Sequence, residues 1–340
     1  MKAAIYNPYL DTLGGGERYS MAVAKYLLNK GYVVDVEWKD QKIKGKLEDR
    51  FGINLENINF VESIKRGDGY DLCFWISDGS IPTLKARKNI LHFQVPFKGV
   101  NGKTLINRMK LFRISKIVCN SNFTKQVIDN EYGVNSVFVY PPVDTEGIKP
   151  KRKENTILFV GRFSQLKQVK GQNILIDCFK KFVDKGYSNW KLILAGGTEV
   201  GVSDYLEQLT KQKEGYSIEI IKGPDYKMIK DLYGKARIYW SAVGFGQDDV
   251  KEPDKVEHFG ISIVEAMASG AVPIVYNAGG HKEIINNGVT GYVWNTPQEL
   301  VKLTCNLIDK NAYSSITKNL GSEIQKYSYQ NFYNNLAKII

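Results

Sequence analysis

Short apolar runs rich in β-branched and aromatic residues recur along the chain and alternate with stretches of helical period. In the first half they predict strands at Lys2–Tyr6, Tyr32–Trp38, Asp71–Ile76, Asn89–Phe93, Lys116–Cys119 and Val137–Tyr140, with a helix from about Glu17 to Asn29. The second half restarts at Thr156–Val160 and continues through Trp190–Ala195, Ile218–Ile221, Arg237–Ser241 and Val272–Tyr276. Such alternation predicts α/β domains, each a mainly parallel sheet covered by helices on both faces. Pro141-Pro142-Val143-Asp144 and the charged run Lys149–Glu154 read as a linker, giving domains at 1–145 and 151–325 and a last helical stretch within 326–340, from about Tyr329.

Composition agrees with two ordinary domains: 340 residues, 43% hydrophobic and 24% charged, leave no reason to expect disorder. The opening MKAAIY enters a strand directly, and no run of 18 apolar residues occurs, so a cytoplasmic chain is expected. Cys73, Cys119, Cys178 and Cys305 are scattered without Cys-x-x-Cys pairs and read as reduced residues, neither bridged nor binding zinc. The net charge of +11 calls for an anionic partner or an exposed basic face. Lys98, Lys103, Arg108, Lys110, Arg113 and Lys116 interleave with Val100, Leu105, Ile106, Met109, Leu111, Phe112 and Ile114. That pattern fits a peripheral segment on an anionic bilayer, or else a core-facing helix with a solvated basic side. No nucleic-acid partner is expected, since no RNA-recognition, helix-turn-helix or zinc-finger spacing accompanies the charge.

The chemistry concentrates in Glu257-His258-Phe259-Gly260-Ile261-Ser262-Ile263-Val264-Glu265. With a helix starting near Gly260, Glu257 lies in the entering loop and Glu265 on the helix, so the two carboxylates can address different parts of one elongated ligand. Amide groups at Phe259, Gly260 and Ile261 would face the same ligand with the helix dipole behind them; a plain solvated helix start with acidic first turns is the alternative. A strand at Val272–Tyr276 and a second glycine turn, Gly279-Gly280-His281, follow at once, and two such junctions fall on one sheet edge. Gly161-Arg162-Phe163 follows the first strand of this half, then Lys167, Lys170 and Gly171. Fixed cations there would stabilise the charge developing on a diphosphate leaving group. In the first half, Gly14-Gly15-Gly16 opens a helix and would let backbone amides approach a phosphate or sugar. With Asp35 near the end of the next strand it also permits a nicotinamide or flavin enzyme, although Tyr19 stands where that fingerprint wants a small residue.

The run from Arg237-Ile238-Tyr239-Trp240 through Gly244-Phe245-Gly246, Glu257-His258-Phe259-Gly260, Glu265-Ala266-Met267 and Gly279-Gly280 to Gly291-Tyr292-Val293-Trp294 resembles the donor half of the retaining glycosyltransferases of family 4. It is most similar to the branch with the eukaryotic mannosyltransferase that extends dolichol-linked oligosaccharide. The resemblance implies a GT-B fold, two Rossmann-like doubly wound domains facing across a cleft, with the 326–340 helix crossing back to the first. It implies a UDP- or GDP-hexose as co-substrate, no cofactor or metal, and a glycan or lipid-linked acceptor. No Asp-x-Asp motif occurs, and Asp248-Asp249 reads as a solvated loop.

Carried onto this chain, the family pattern has Glu257 on the transferred sugar and Glu265 on the ribose. Arg162 and a lysine hold the diphosphate. His92 approaches the sugar, and His258, Gly15 and Gly16 face the donor. The loop after Arg162 is about three residues longer than the common pattern. Counting back from Asp177 favours Lys170 and counting forward favours Lys167; we take Lys170. Ser241 stands where a histidine often follows Tyr-Trp in this branch. A nucleotide-sugar-binding regulator or inactive subunit is the other class to separate by assay.

Overall fold

The computed structural model describes residues 1–340 except Leu166, Lys167, Val200 and Asp309, and of Lys310 and Asn311 the backbone only. The chain forms two compact units, one of Met1–Pro142 with Tyr329–Ile340 and the other of Val143–Ser328. The division falls inside the proline-bearing segment, at Pro142.

The first unit carries strands β1 (Lys2–Tyr6), β2 (Val33–Glu37), β3 (Ile58–Val61), β4 (Leu72–Ile76), β5 (Lys88–Phe93), β6 (Lys116–Cys119) and β7 (Val137–Phe138), all parallel, in the order β3-β2-β1-β4-β5-β6-β7. Its helices are α1 (Gly15–Asn29), α2 (Ile43–Phe51), α3 (Leu105–Leu111) and α4 (Asn122–Tyr132). Ala3, Ala4 and Ile5 of β1 are fully buried, as a central parallel strand covered on both faces requires. β7 ends short of the predicted Tyr140; Pro141 and Pro142, lacking N–H groups, follow it and cannot extend a ladder.

The second unit carries β8 (Glu154–Val160), β9 (Lys191–Gly196), β10 (Ile218–Lys222), β11 (Ala236–Ser241), β12 (Val272–Tyr276) and β13 (Tyr292–Trp294), again all parallel, in the order β10-β9-β8-β11-β12-β13. Helices α5 (Gln172–Val183), α6 (Ser203–Gln212), α7 (Tyr226–Lys235), α8 (Ile261–Ala268), α9 (His281–Ile284), α10 (Pro297–Ile308) and α11 (Lys310–Ile324) surround it. A last helix, α12 (Tyr329–Leu336), belongs to the first unit, where Phe332 meets Tyr19 edge-on at 5.1 Å and Lys88 donates to the Ile340 carbonyl at 3.0 Å.

Both sheets are doubly wound, and the order reverses between β1 and β4 in one and between β8 and β11 in the other. At such a reversal the loops leaving adjacent strands diverge, opening a crevice outside their carboxyl ends. In the second unit those loops are the one carrying Arg162 and Lys170 and the one carrying Glu257. Among the described residues, no helix is long and apolar enough to cross a membrane.

Candidate active site

The loop after β11 reaches α8 through Gly260, whose φ of +113° and whose missing Cβ, which would lie 2.8 Å from Ile263 Cδ1, leave little choice of residue. Helix α8 thus begins with Glu257 just ahead of it, and in its first turn Ile263 N–H donates to the Gly260 carbonyl at 3.0 Å. Glu265, buried, lies one turn into the same helix. Tyr239 of β11 ties the two loops together: its hydroxyl bonds Ser262 Oγ of α8 at 2.8 Å and lies 3.4 Å from the Val160 carbonyl at the end of β8.

Lys170 Nζ stands 3.4 Å from Glu257 Oε2, and the two side chains are only 13% and 17% exposed. Burial pushes the Glu257 carboxyl up, but the Lys170 ammonium, with smaller help from His281 and His258, holds it below the usual carboxylate value. Gln168 links the partners, accepting from Lys170 and donating to the Val256 carbonyl. Lys167 lies outside the described residues, so the structure bears on Lys170 alone. Arg162 sits half-exposed on the same loop, 3.1 Å from Glu199 Oε1, and Glu199 also accepts from Ser164. The Arg162 loop runs beside residues 196–199, with Phe163 N–H donating to the Gly197 carbonyl at 2.8 Å.

A second clasp holds Glu257 from behind. Gly280 N–H donates to the Glu257 carbonyl at 2.7 Å, and Asp249 accepts from Gly279 N–H at 3.1 Å and from Lys282 Nζ at 2.7 Å. Asp248 accepts from the amides of Val250 and Lys251, so both aspartates of this loop are engaged in holding it. His258 Nε2 donates to the Asp254 carbonyl at 3.1 Å. His281 is fully buried; its Nδ1–H donates to Tyr276 O at 2.6 Å, leaving Nε2 to accept from Ser241 Oγ at 3.4 Å. Ser241, the departure from the family pattern, therefore orients a core histidine.

The second unit thus brings together Lys170, Glu257 and the start of α8 with Phe259, Gly260 and Ile261. Gln168 and Glu199 were missed in the sequence, and Tyr239 enters there only as part of the Arg237–Trp240 run. The glycine pair Gly196-Gly197 after β9 was the available pointer to Glu199.

The first unit holds the remaining candidate residues. Gly15 and Gly16 form the first turn of α1 at the β1/β4 reversal, but the buried Glu17 carboxylate already accepts from Gly14 N–H at 2.6 Å and from the Thr12 hydroxyl at 2.8 Å. An anion at this turn would share it with that carboxylate.

His92 belongs to β5, and both of its ring nitrogens are buried without a hydrogen-bond partner among the described residues. It lies inside β5, fully buried, with its ring stacked on Tyr19 at 4.1 Å, and its carbonyl accepts from Ser77 N–H at 2.8 Å. Burial pulls its pKa down to about 3, and burial likewise lowers His258 and His281, so all three are uncharged at neutral pH. Each value lies below the ordinary 6.5, so the unfolded chain takes up protons first as pH falls. Their contribution is complete above pH 6.5 and is lost below it, by up to about 1.4 kcal/mol per pH unit for each histidine, down to about pH 3 for His92. His92→Phe is expected to keep transfer activity and to make the acid decline of the urea midpoint shallower. Loss of activity in a folded His92→Phe protein would restore the sugar-contact role.

These features define a glycosyltransferase. Residues 143–324 match the family model "Glycosyl transferases group 1", and the chain belongs to that family. It is 27% identical over 236 residues to the GDP-Man:Man(3)GlcNAc(2)-PP-Dol alpha-1,2-mannosyltransferase of Dictyostelium discoideum, spanning 64% of this chain and 45% of that one. It is 32% identical over 184 residues to an uncharacterized glycosyltransferase of Methanocaldococcus jannaschii, spanning 52% and 42%. The chain therefore spans less than half the length of these two curated relatives. Anabaena HepE, solved in complex with UDP and glucose, shares the fold over 100% of this chain and 99% of its own, with TM-score 0.77 at 17% identity. A Rickettsia africae glycosyltransferase does so over 99% and 97%, also at TM-score 0.77, with 19% identity. The fold is GT-B.

Proposed function

We propose that the chain is a retaining, metal-independent hexosyltransferase that uses a UDP- or GDP-hexose and a glycan or lipid-linked glycan acceptor. The Lys170–Glu257 pair beside the amino end of α8, at the β8/β11 reversal, carries this reading. Lys170, Arg162 and the first amides of α8 supply positive charge for a leaving diphosphate, the role that would otherwise fall to a divalent cation. Glu257, kept ionised, accepts from hydroxyls of the transferred hexose, and Glu265 accepts from the ribose. The bond between the anomeric carbon and the diphosphate oxygen breaks, and the acceptor oxygen bonds the same face of that carbon. The leaving phosphate oxygen takes the acceptor's proton. The UDP and glucose bound in HepE and the GDP-mannose in the names of the mannosyltransferase relatives support this donor class.

The dinucleotide alternative loses its acidic residue: Asp35 accepts from Asn59 at 2.8 Å and from the Tyr70 hydroxyl at 2.8 Å. We place the enzyme in the cytoplasm, in peripheral contact with an anionic membrane. Its free cysteines, three of them buried, suit a reducing compartment.

The test is a melting panel of UDP, GDP, ADP and their sugar conjugates in the presence of EDTA, followed by transfer assays with whichever conjugate binds. A ligand at a hundred times its Kd stabilises the native state by about 2.7 kcal/mol. One base should shift the midpoint, one of its sugar conjugates should shift it further, and that conjugate should turn over. A shift from NAD or FAD alone would overturn the reading, and donor binding without turnover would make the chain a regulator.

A further inference from the structure

The segment between Phe97 and Lys116 contains six Lys or Arg residues and no Asp or Glu. Within it α3 has no buried residue at all. Leu105, Ile106, Met109 and Phe112 are 74%, 65%, 64% and 90% exposed. At 100° per residue these four share one side of the helix, with Arg108 and Lys110 flanking it on either edge. A core-facing helix with a solvated basic side, the other reading of this pattern, is thereby excluded: the apolar side faces outward.

The segment is nevertheless held firmly. Glu131 of α4 accepts from the amides of Gly99, Val100 and Gly102 at 2.9, 3.0 and 3.1 Å, and Thr104 Oγ1 caps α3 by accepting from Asn107 N–H at 3.3 Å. At the far end Asn89 donates to the Arg113 carbonyl at 2.9 Å, and Leu111 and Ile114 pack on the core beneath. Anchored at both ends, the exposed side between them is a built surface.

We propose that this surface is a bilayer-docking platform: Leu105, Ile106, Met109 and Phe112 enter the boundary between headgroups and acyl chains, and Lys103, Arg108, Lys110 and Lys116 bind anionic headgroups. The inference rests on the peripheral-membrane part of the reading above and is independent of its donor chemistry. Charge selects the occupant. In a symmetric pair of copies the patch would meet itself, cations against cations, whereas an anionic leaflet complements it. Large apolar side chains ringed by cations and free of carboxylates are the composition that settles helices at such an interface.

Flotation of the full-length protein with phosphatidylcholine vesicles, with and without phosphatidylglycerol, tests this. Binding is expected only with phosphatidylglycerol and should weaken as salt rises. Ile106→Ser/Phe112→Ser should lower partitioning on the order of a hundredfold, about tenfold for each apolar side chain withdrawn from lipid. Phe112→Trp should show blue-shifted emission with anionic vesicles alone. No flotation with anionic vesicles, or undiminished flotation of the double variant, overturns the proposal. So does a dimer in solution that the double variant converts to monomer without any vesicle binding. Nucleotide-induced melting shifts of the same variants, measured without lipid, keep failure here distinct from failure of the donor reading.

Discussion

Lys170→Met is expected to lower kcat by about two to three orders of magnitude, the loss typical of removing one preorganised stabiliser of transition-state charge. It is also expected to destabilise the fold by about 3 kcal/mol, because a largely buried carboxylate is left without its cation. The pH dependence gives the sharper test. In the parent protein Glu257 titrates below its ordinary 4.5, so its share of stability is complete above pH 4.5 and is lost as pH falls through the folded value. Without Lys170, burial, already the largest influence on Glu257, is opposed only by the smaller effect of His281 and His258, whose own protonation burial disfavours. The carboxyl then titrates above 4.5, and the sign reverses: the variant should lose stability as pH rises from acid towards neutral. Lys170→Met/Glu257→Gln should recover the stability and not the activity. Urea midpoints across that pH range and kcat at saturating donor decide it. A Lys170→Met protein with parental kcat would remove Lys170 from the site and return Lys167 to consideration.

The residues that make this pair were legible because they end strands. β8, β9, β10, β11 and β12 were read close to their observed bounds, and their order brings the loops after β8 and β11 to the same reversal. Contacts that depend on loop course were not legible. Glu199 touches Arg162, and Gln168 reaches the Val256 carbonyl, only because separate loops run side by side, and no local spacing encodes that. β3 escaped notice because four residues with Asn59 in their midst give too short an alternation. Periodicity located the apolar side of α3 but could not say whether core or solvent faces it, since both arrangements share one pattern. The surroundings of His92 were hidden for a similar reason. Strand ends often carry ligand contacts, yet in β5 the alternation that turns side chains to opposite faces directs this one under Tyr19. Glu17, buried at the glycine turn, shows the same limit: a glycine cluster announces exposed amides, and a carboxylate three residues on can take one of them first.

Gly279→Ala tests whether the second glycine turn exists to place Glu257. Gly279 has φ +54°, and a Cβ there would lie 2.4 Å from the Glu257 carbonyl oxygen and 2.7 Å from Val256 Cγ2. The backbone at Val256–Glu257 must yield, and with it the hydrogen bond from Gly280 to Glu257. Left-handed strain and overpacking together are expected to cost about 2–4 kcal/mol. A carboxylate displaced by about 1 Å is expected to lose transfer activity roughly a hundredfold. Gly288 separates strain from displacement, because its φ is +78° but a Cβ there meets nothing within 4 Å. Gly288→Ala should therefore cost only about 1 kcal/mol and leave transfer unchanged. Equal activity losses in the two variants would mean that strain anywhere in this region disables the enzyme, and Glu257 would lose its claim to a geometry held from behind. A loss confined to Gly279→Ala, with nucleotide binding retained and turnover lost, would tie the turn to the placing of the Glu257 carboxylate.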